Sequence, residues 1–282
     1  MPPATLQPFV TTFYRTEIQA PDIPGWIEDY LHPEWPNIRI VPAGLSMHAI
    51  GDGELEPTPV LAATGPTTKP TRFRMGSGRS WGIGLLPLGW AKLVDGQAKD
   101  YANRAVDGAV DAAFSAFQGL PDKLLAAERE FAEDAALITD HLEARLSREI
   151  RDEEVIVAVN AALVDREVGT VMELAERAGL TVRSLERLCL RAFGFSPKLL
   201  LRRQRFLRSL AQFMLDPSLK WLSAMDYHYH DQAHFVRDFR KFMGMSPNAY
   251  RKLDHPLLGG AAQARAEIMG EPMQVLHQPP AP

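Results

Sequence analysis

The chain has 282 residues, 46% of them hydrophobic, a single cysteine (Cys189) and a formal net charge of -4, which is enough for two domains of ordinary size with separate cores. One cysteine excludes a disulfide framework, and no apolar run approaches the roughly 18 residues of a membrane helix. With no basic start followed by an apolar stretch, a soluble cytoplasmic protein is expected.

From Met1 to about Ala98 the sequence is rich in proline and glycine. The runs Phe9 to Tyr14, Ile38 to Val41, Thr71 to Met75 and Trp81 to Leu86 predict short strands between turns. Arg39, Arg72 and Arg74 alternate with apolar neighbours and are expected to line one solvated sheet face. Trp26, Trp35, Trp81 and Trp90 are expected in the core ahead of a small-molecule pocket. Gly76-Ser77-Gly78 reads as a hairpin loop. A metal enzyme is disfavoured, because only His32 and His48 precede residue 100 and they form no His-x-His pair. Nucleophile elbow, phosphate loop and dinucleotide fingerprint are all missing from the sequence. No catalytic residue, metal ligand or cofactor is therefore assigned.

Asp122 to Ile150 has a different character. Leu124, Glu128, Phe131, Ala135, Ile138, Leu142 and Leu146 trace a narrow stripe at three- and four-residue steps, suited to sealing against its own domain or against a second copy. Arg148 to Glu154 is a charged linker, and Val155 to Val164 is apolar enough to open a further domain. Charge is segregated to match: Val168 to Leu253 holds 15 Lys and Arg against 7 Asp and Glu, a net of +8, while the remainder carries -12.

Within that basic region one unit occurs twice, offset by 50 residues. Thr181 to Pro197 aligns without gaps on Asp231 to Pro247, matching Arg187 with Arg237, Arg191 with Lys241, Gly194 with Gly244, and Ser196-Pro197 with Ser246-Pro247. Thr181 and Asp231 suit helix N-caps, the glycines suit left-handed C-caps, and Ser-Pro suits the opening of a following helix. Leu185, Leu188, Cys189 and Ala192 form a buried-type stripe, as do Phe235, Phe239 and Phe242. The opposite faces carry Arg183, Arg187 and Arg191, and His234, Arg237 and Lys241. One such face is ordinarily just solvated, but two in register with their caps fit helices set in successive major grooves, about 34 Å apart. Thr170 to Arg177 and Lys220 to Asp226 are the expected positioning helices, with Gly179 in the first turn. Ser196 to Leu215 predicts a joining helix of roughly 30 Å. Its Arg202, Arg203, Arg205 and Arg208 are expected to face outward, as phosphate contacts or as solvated charge. A metal site from Asp226, His228, His230, Asp231 and His234 is disfavoured, since a turn entering a helix spreads them in several directions.

These residues resemble the AraC/XylS transcriptional regulators over roughly Val155 to Leu253. The resemblance is close in Asp231-Gln232-Ala233-His234-Phe235, Arg237-Asp238-Phe239 and Gly244-Met245-Ser246-Pro247 with Tyr250-Arg251. In the first copy it rests on Leu174-Ala175-Glu176, Leu185, Arg187, Phe193-Gly194 and Ser196-Pro197. The sequence departs from the family at Ser223, where an aliphatic residue is usual, and at His228-Tyr229-His230-Asp231, where the family has Gly-aromatic-x-Asp. A positive φ in that turn would then fall on histidine.

The resemblance implies an α+β protein. Residues 1–150 would be a β-rich, cupin-like or related domain for ligand sensing or dimerisation, ending in an amphipathic dimerisation helix. Residues 151–254 would be a double helix-turn-helix DNA-binding domain, and 255–282 a loosely ordered tail with a short helix near Ala262 to Met269. It further implies a sequence-specific activator or repressor that binds double-stranded DNA, a small-molecule effector, a second copy and RNA polymerase. The family's base-reading positions fall on Arg183, Ser184, Glu186 and Arg187, then on Gln232, Ala233, His234 and Arg237. By their chemistry Ser184, Arg191, Arg240 and Lys241 suit phosphates better. The rival reading is an enzyme with a catalytic N-terminal domain addressed to DNA by its C-terminal one.

Overall fold

The computed structural model describes residues 2–19, 25–216 and 221–277. It is an α+β protein in which an antiparallel β-sandwich precedes an all-helical domain. The strands are β1 (Val10–Ile18), β2 (Ile27–Leu31), β3 (Asn37–Ile40), β4 (Ser46–Ile50), β5 (Glu56–Pro57), β6 (Leu61–Thr64), β7 (Thr71–Met75), β8 (Gly78–Leu85) and β9 (Ala105–Asp107). One sheet runs β1-β8-β3-β6-β9 and the other β2-β7-β4-β5. The first eight strands thus make two Greek keys facing one another, the jelly roll found in cupins among others, with β9 added at an edge.

Thr71 to Met75 forms β7 as predicted, and the other three expected runs fall on β1, β3 and β8. Gly76-Ser77 is not a hairpin loop, because β7 and β8 belong to different sheets. The turn carries the chain across the sandwich. For the same reason the three arginines do not share a face: Arg39 lies in one sheet and pairs with Glu34 at 2.6 Å, while Arg72 and Arg74 lie in the other. Trp35, Trp81 and Trp90 are core residues, and Trp26 is exposed.

After the sandwich come α1 (Pro87–Leu93), α2 (Leu120–Leu125) and α3 (Phe131–Glu143). The stripe of α2 and α3 is used within the chain: Leu124, Ile138 and Leu142 are fully buried in the common core. Asp134 of α3, also buried, accepts the Trp81 indole N–H at 2.7 Å and faces Arg15 at 3.2 Å, fastening α3 to β8 and β1. Three of the seven stripe residues are thus taken up within the chain, while Glu128 and Phe131 stay exposed.

The helical domain comprises α4 (Glu153–Val164), α5 (Val171–Arg177), α6 (Val182–Leu188, running on as a wider π turn to Phe193), α7 (Pro197–Leu215), α8 (Trp221–Ala224), α9 (Gln232–Met243) and α10 (Pro247–Tyr250). Lys220, the expected start of the second positioning helix, lies outside the described residues. Described as far as His277, the tail is more ordered than expected, and the short helix expected near Ala262 to Met269 lies within it. It forms α11 (Leu258–Met269), and beyond it Met273, Val275 and Leu276 are buried. Small residues and glycines made this stretch read as weakly structured, yet its partners are strands more than 200 residues earlier.

The two domains share one continuous core. Trp35 meets Phe193 edge-on, with centroids 5.7 Å apart, and a Cβ at Gly194 would overlap Pro66. His32, buried on the sandwich, bonds Tyr250 Oη through Nε2 at 2.7 Å. Burial, then the charges of His255 and Arg265, pull the His32 pKa down to about 3 against the opposing pull of Asp29. A histidine depressed in this way keeps its stabilisation above its ordinary value and loses it as pH falls from 6.5 toward 3. Stability is expected to drop by up to about 1.4 kcal/mol per pH unit in that window from this group. His141, lowered by burial to about 4, adds to the same slope. Denaturant midpoints between pH 7 and about 4 test this, and His32→Gln should flatten the curve; an unchanged slope would remove His32 from the account.

Candidate nucleic-acid interface

Each recognition helix is set by local chemistry at its start. In the first unit, Thr170 and Glu173 form a reciprocal capping box on α5: Thr170 Oγ1 accepts the Glu173 N–H at 3.2 Å, and Glu173 Oε2 accepts the Thr170 N–H at 2.9 Å. The turn passes through Gly179 at φ +64°, and Thr181 Oγ1 then caps α6 by accepting the Ser184 N–H at 3.2 Å. In the second unit Asp231 caps α9 by accepting the His234 N–H at 2.6 Å. Gly194 (φ +83°) and Gly244 (φ +68°) close the two helices in the left-handed conformation.

The predicted faces separate as the spacing requires. Leu185, Leu188, Cys189 and Ala192 are buried on one helix, and Phe235, Phe239, Phe242 and Met243 on the other. Arg183, Glu186 and Arg187 are exposed on α6, and Gln232, Ala233, Arg237, Arg240 and Lys241 on α9. Ser184 is half-buried beside its cap. Arg191, although exposed, is paired with Asp152 at the entrance to α4, so part of its charge is already committed.

His234 does not project freely. Its Nε2 faces Arg205 Nη2 at 3.1 Å, and its ring stands edge-on to Tyr229 at 5.1 Å. Burial, followed by the Arg205 charge, lowers its pKa. The neutral ring therefore accepts from Arg205 rather than reaching outward.

The arginines of the joining helix are turned inward, contrary to expectation. Arg203 is fully buried against the sandwich, its guanidinium 3.9 Å over the Trp35 ring and donating to Thr67 O at 3.0 Å. Arg202 and Arg205 both converge on the fully buried Asp238 of α9, Arg205 at 3.1 Å. Arg208 pairs with the buried Asp226 at 2.6 Å. The four side chains hold α7 to its neighbours, and their outward-pointing alternative has no geometry to support it.

The turn before α9 is fixed by the same carboxylates. Asp226 also accepts the His228 N–H at 3.0 Å and lies 3.0 Å from His228 Nδ1, while Tyr229 Oη donates to Asp238 at 3.2 Å. Among the described residues Asn103 is the one non-glycine with positive φ. The turn therefore does without the left-handed residue that the family pattern suggested for it. The sequence presents Asp226 only as a disfavoured metal ligand, and Asp238 and Tyr229 only as parts of the family motifs; from it none is expected to anchor arginines. A signal was available, since the 50-residue offset sets Asp238 against Leu188, a charge against a core leucine.

Between the units lies an open cavity lined by Thr170, Lys198, Arg202, Arg205, His228 and His234, with a cationic wall. The exposed Arg183, Arg187, Arg237 and Lys241, none in an ion pair among the described residues, and the caps that hold both helices are what binding to a polyanion requires.

Residues 174–253 match the family model described as a helix-turn-helix domain. Comparison with curated proteins gives no match. Among solved structures, ToxT from Vibrio cholerae is similar with a TM-score of 0.45 and 8% identity, over 85% of this chain and 96% of that chain. ToxT from Vibrio cholerae O395 bound to (E)-4-(8-methylnaphthalen-1-yl)but-3-enoic acid gives 0.44 and 9% over 85% and 96%. Unsaturated fatty acid bound wild-type ToxT from Vibrio cholerae strain SCE256 gives 0.42 and 10% over 85% and 93%.

Proposed function

Since residues 174–253 are an AraC-type helix-turn-helix domain, we propose that the chain is a cytoplasmic, sequence-specific transcription regulator that reads two successive major-groove segments with α6 and α9. The observation that carries this reading is the in-register repeat. Two helices, each capped at both ends and buried on one face, present Arg183 and Arg187, and Arg237 and Lys241, on the other. A solvated face has no reason to recur with its caps.

In this reading residues 151–254 bind DNA and residues 1–150 sense an effector or support dimerisation, acting on transcription through RNA polymerase without chemistry of their own. Arg183, Arg187, Gln232 and Arg237 reach base edges, Arg paired with guanine and Gln with adenine; Glu186 can accept from cytosine. Ala233 offers a methyl to thymine, and Ser184, Arg240 and Lys241 hold phosphates. Arg191 and His234 contribute through the contacts that position their helices.

Selection of bound sequences from a random DNA pool at two salt concentrations tests the reading. Two conserved blocks about one helical turn apart are expected. Arg187→Ala and Arg237→Ala should each cost about 1–3 kcal/mol and relax one block, whereas Lys241→Ala should weaken all DNA alike and lower the salt slope by about one. Retention that is sequence-blind and abolished by modest salt would defeat the proposal.

A further inference from the structure

The segment after the DNA-binding domain touches both halves of the protein through directed polar bonds. Asp29 of β2, fully buried, accepts from His255 Nδ1 at 3.1 Å and from the Leu257 and Leu258 N–H groups at 3.0 and 2.8 Å, capping the first turn of α11. Beyond Gly270 the chain returns across the other sheet. There Gln274 Nε2 donates to Thr11 Oγ1 at 3.2 Å and Pro36 O at 3.4 Å. The space exists because residue 84 is glycine; a Cβ there would overlap both Thr11 and Gln274. One residue on, Val275 O accepts from Gln204 Nε2 at 2.8 Å, and Gln204 is a fully buried residue in the middle of α7.

We propose that Asp254–His277 is a strap that fastens the middle of the joining helix to the sandwich, so that both recognition helices are held at one setting relative to it. The reason lies in where the strap grips. Helix α7 carries a helix-turn-helix unit at each end, and a rod fixed at its centre passes any tilt to both ends at once. Apolar burial alone would tolerate sliding; Asp29 and Gln274 at one end and Gln204 at the other specify a register. Anything that deforms β1, β2 or β8 is thereby transmitted to α7 through α11 and Gln274.

The test uses the full chain, and its DNA arm rests on the regulator reading above. Hydrogen exchange on the unaltered protein comes first. Amides of α11 should open together with those of α7, with the same denaturant dependence. In Gln204→Ala/Gln274→Ala, α11 should lose protection by about tenfold or more while β8 and α9 keep theirs. The variant should also accept operators whose two blocks are moved apart by a base pair, which the unaltered protein rejects. Separate, faster opening of α11 in the unaltered protein would overturn the strap, as would a variant with unchanged protection and an unchanged spacing preference. Should neither form select a sequence, the regulator reading fails and the exchange comparison alone decides the strap. Should the variant not fold, the unaltered protein still decides it.

Discussion

Asp238→Leu is expected to destabilise the second helix-turn-helix unit by about 3–5 kcal/mol, although it installs the residue found at the equivalent position of the first. In the first unit Leu188 packs in an apolar stripe. At Asp238 the surroundings are Arg202, Arg205 at 3.1 Å and Tyr229 Oη at 3.2 Å, around a carboxylate with no exposure to solvent. Leucine would take the carboxylate from Arg202, Arg205 and the Tyr229 phenol, leaving Arg205 with His234 Nε2 as acceptor, and Arg205 Nε already lacks a partner. Removing one member of a buried ionic cluster costs far more than the net worth of the cluster, because the remaining charges stay desolvated. The readouts are the denaturant midpoint and a footprint on the selected operator. Protection should vanish from the second block and persist on the first. A loss of less than about 1 kcal/mol with both blocks protected would show that the carboxylate does not organise the unit.

Arg203→Met should act in the opposite direction and stabilise the protein, by about 1–4 kcal/mol. Arg203 is fully buried, and two of its nitrogens, Nε and Nη2, make no hydrogen bond. Burial pulls its pKa down to about 9, and among the described residues no carboxylate forms an ion pair with it. At neutral pH the group is still charged in the fold, so the penalty is fully present below pH 9 and is relieved only as pH rises above it. Methionine has nearly the same reach, keeps contact with Trp35 and carries no charge. It gives up the stacking of cation on indole, worth up to about 2 kcal/mol, and the bond to Thr67 O, worth about 1 kcal/mol. A higher midpoint in urea at pH 7, with the same slope against urea concentration, is the expected result. A drop of more than about 1 kcal/mol would mean that the guanidinium holds the domains together by more than its packing.

These two residues also mark the limit of what the sequence discloses. The recognition helices were legible because everything that defines them is local: Thr181 and Asp231 cap, Gly194 and Gly244 terminate, and the stripes repeat at helical spacing. Strand β7 was legible for the same reason, through its alternation and the turn that follows. Helix α7 was placed correctly, but the direction of its arginines was not. Periodicity shows where charge lies on a helix and says nothing of a carboxylate 18 to 36 residues away waiting for it. Strands β4 to β6 are short and lie among prolines and glycines, so their pairing is set by neighbours in the sheet rather than by their own pattern. In the tail the short helix near Ala262 to Met269 was legible, but its docking was not, because the groups that order it, Asp29 and Thr11, belong to the far end of the chain.

That distance has a kinetic side. Asp29 and Leu257 are 228 residues apart, and Thr11 and Gln274 are 263 apart. On a ribosome adding about 5–20 residues per second, roughly ten to forty-five seconds separate the synthesis of β2 from that of the segment that covers its carboxylate. Throughout that interval the sandwich carries an open cap site and a glycine-lined slot between β1 and β8, both awaiting a partner not yet made. Closing so long a loop is slow for reasons of topology, whatever the final stability. The sandwich is translated before the helical domain, and it is completed after it.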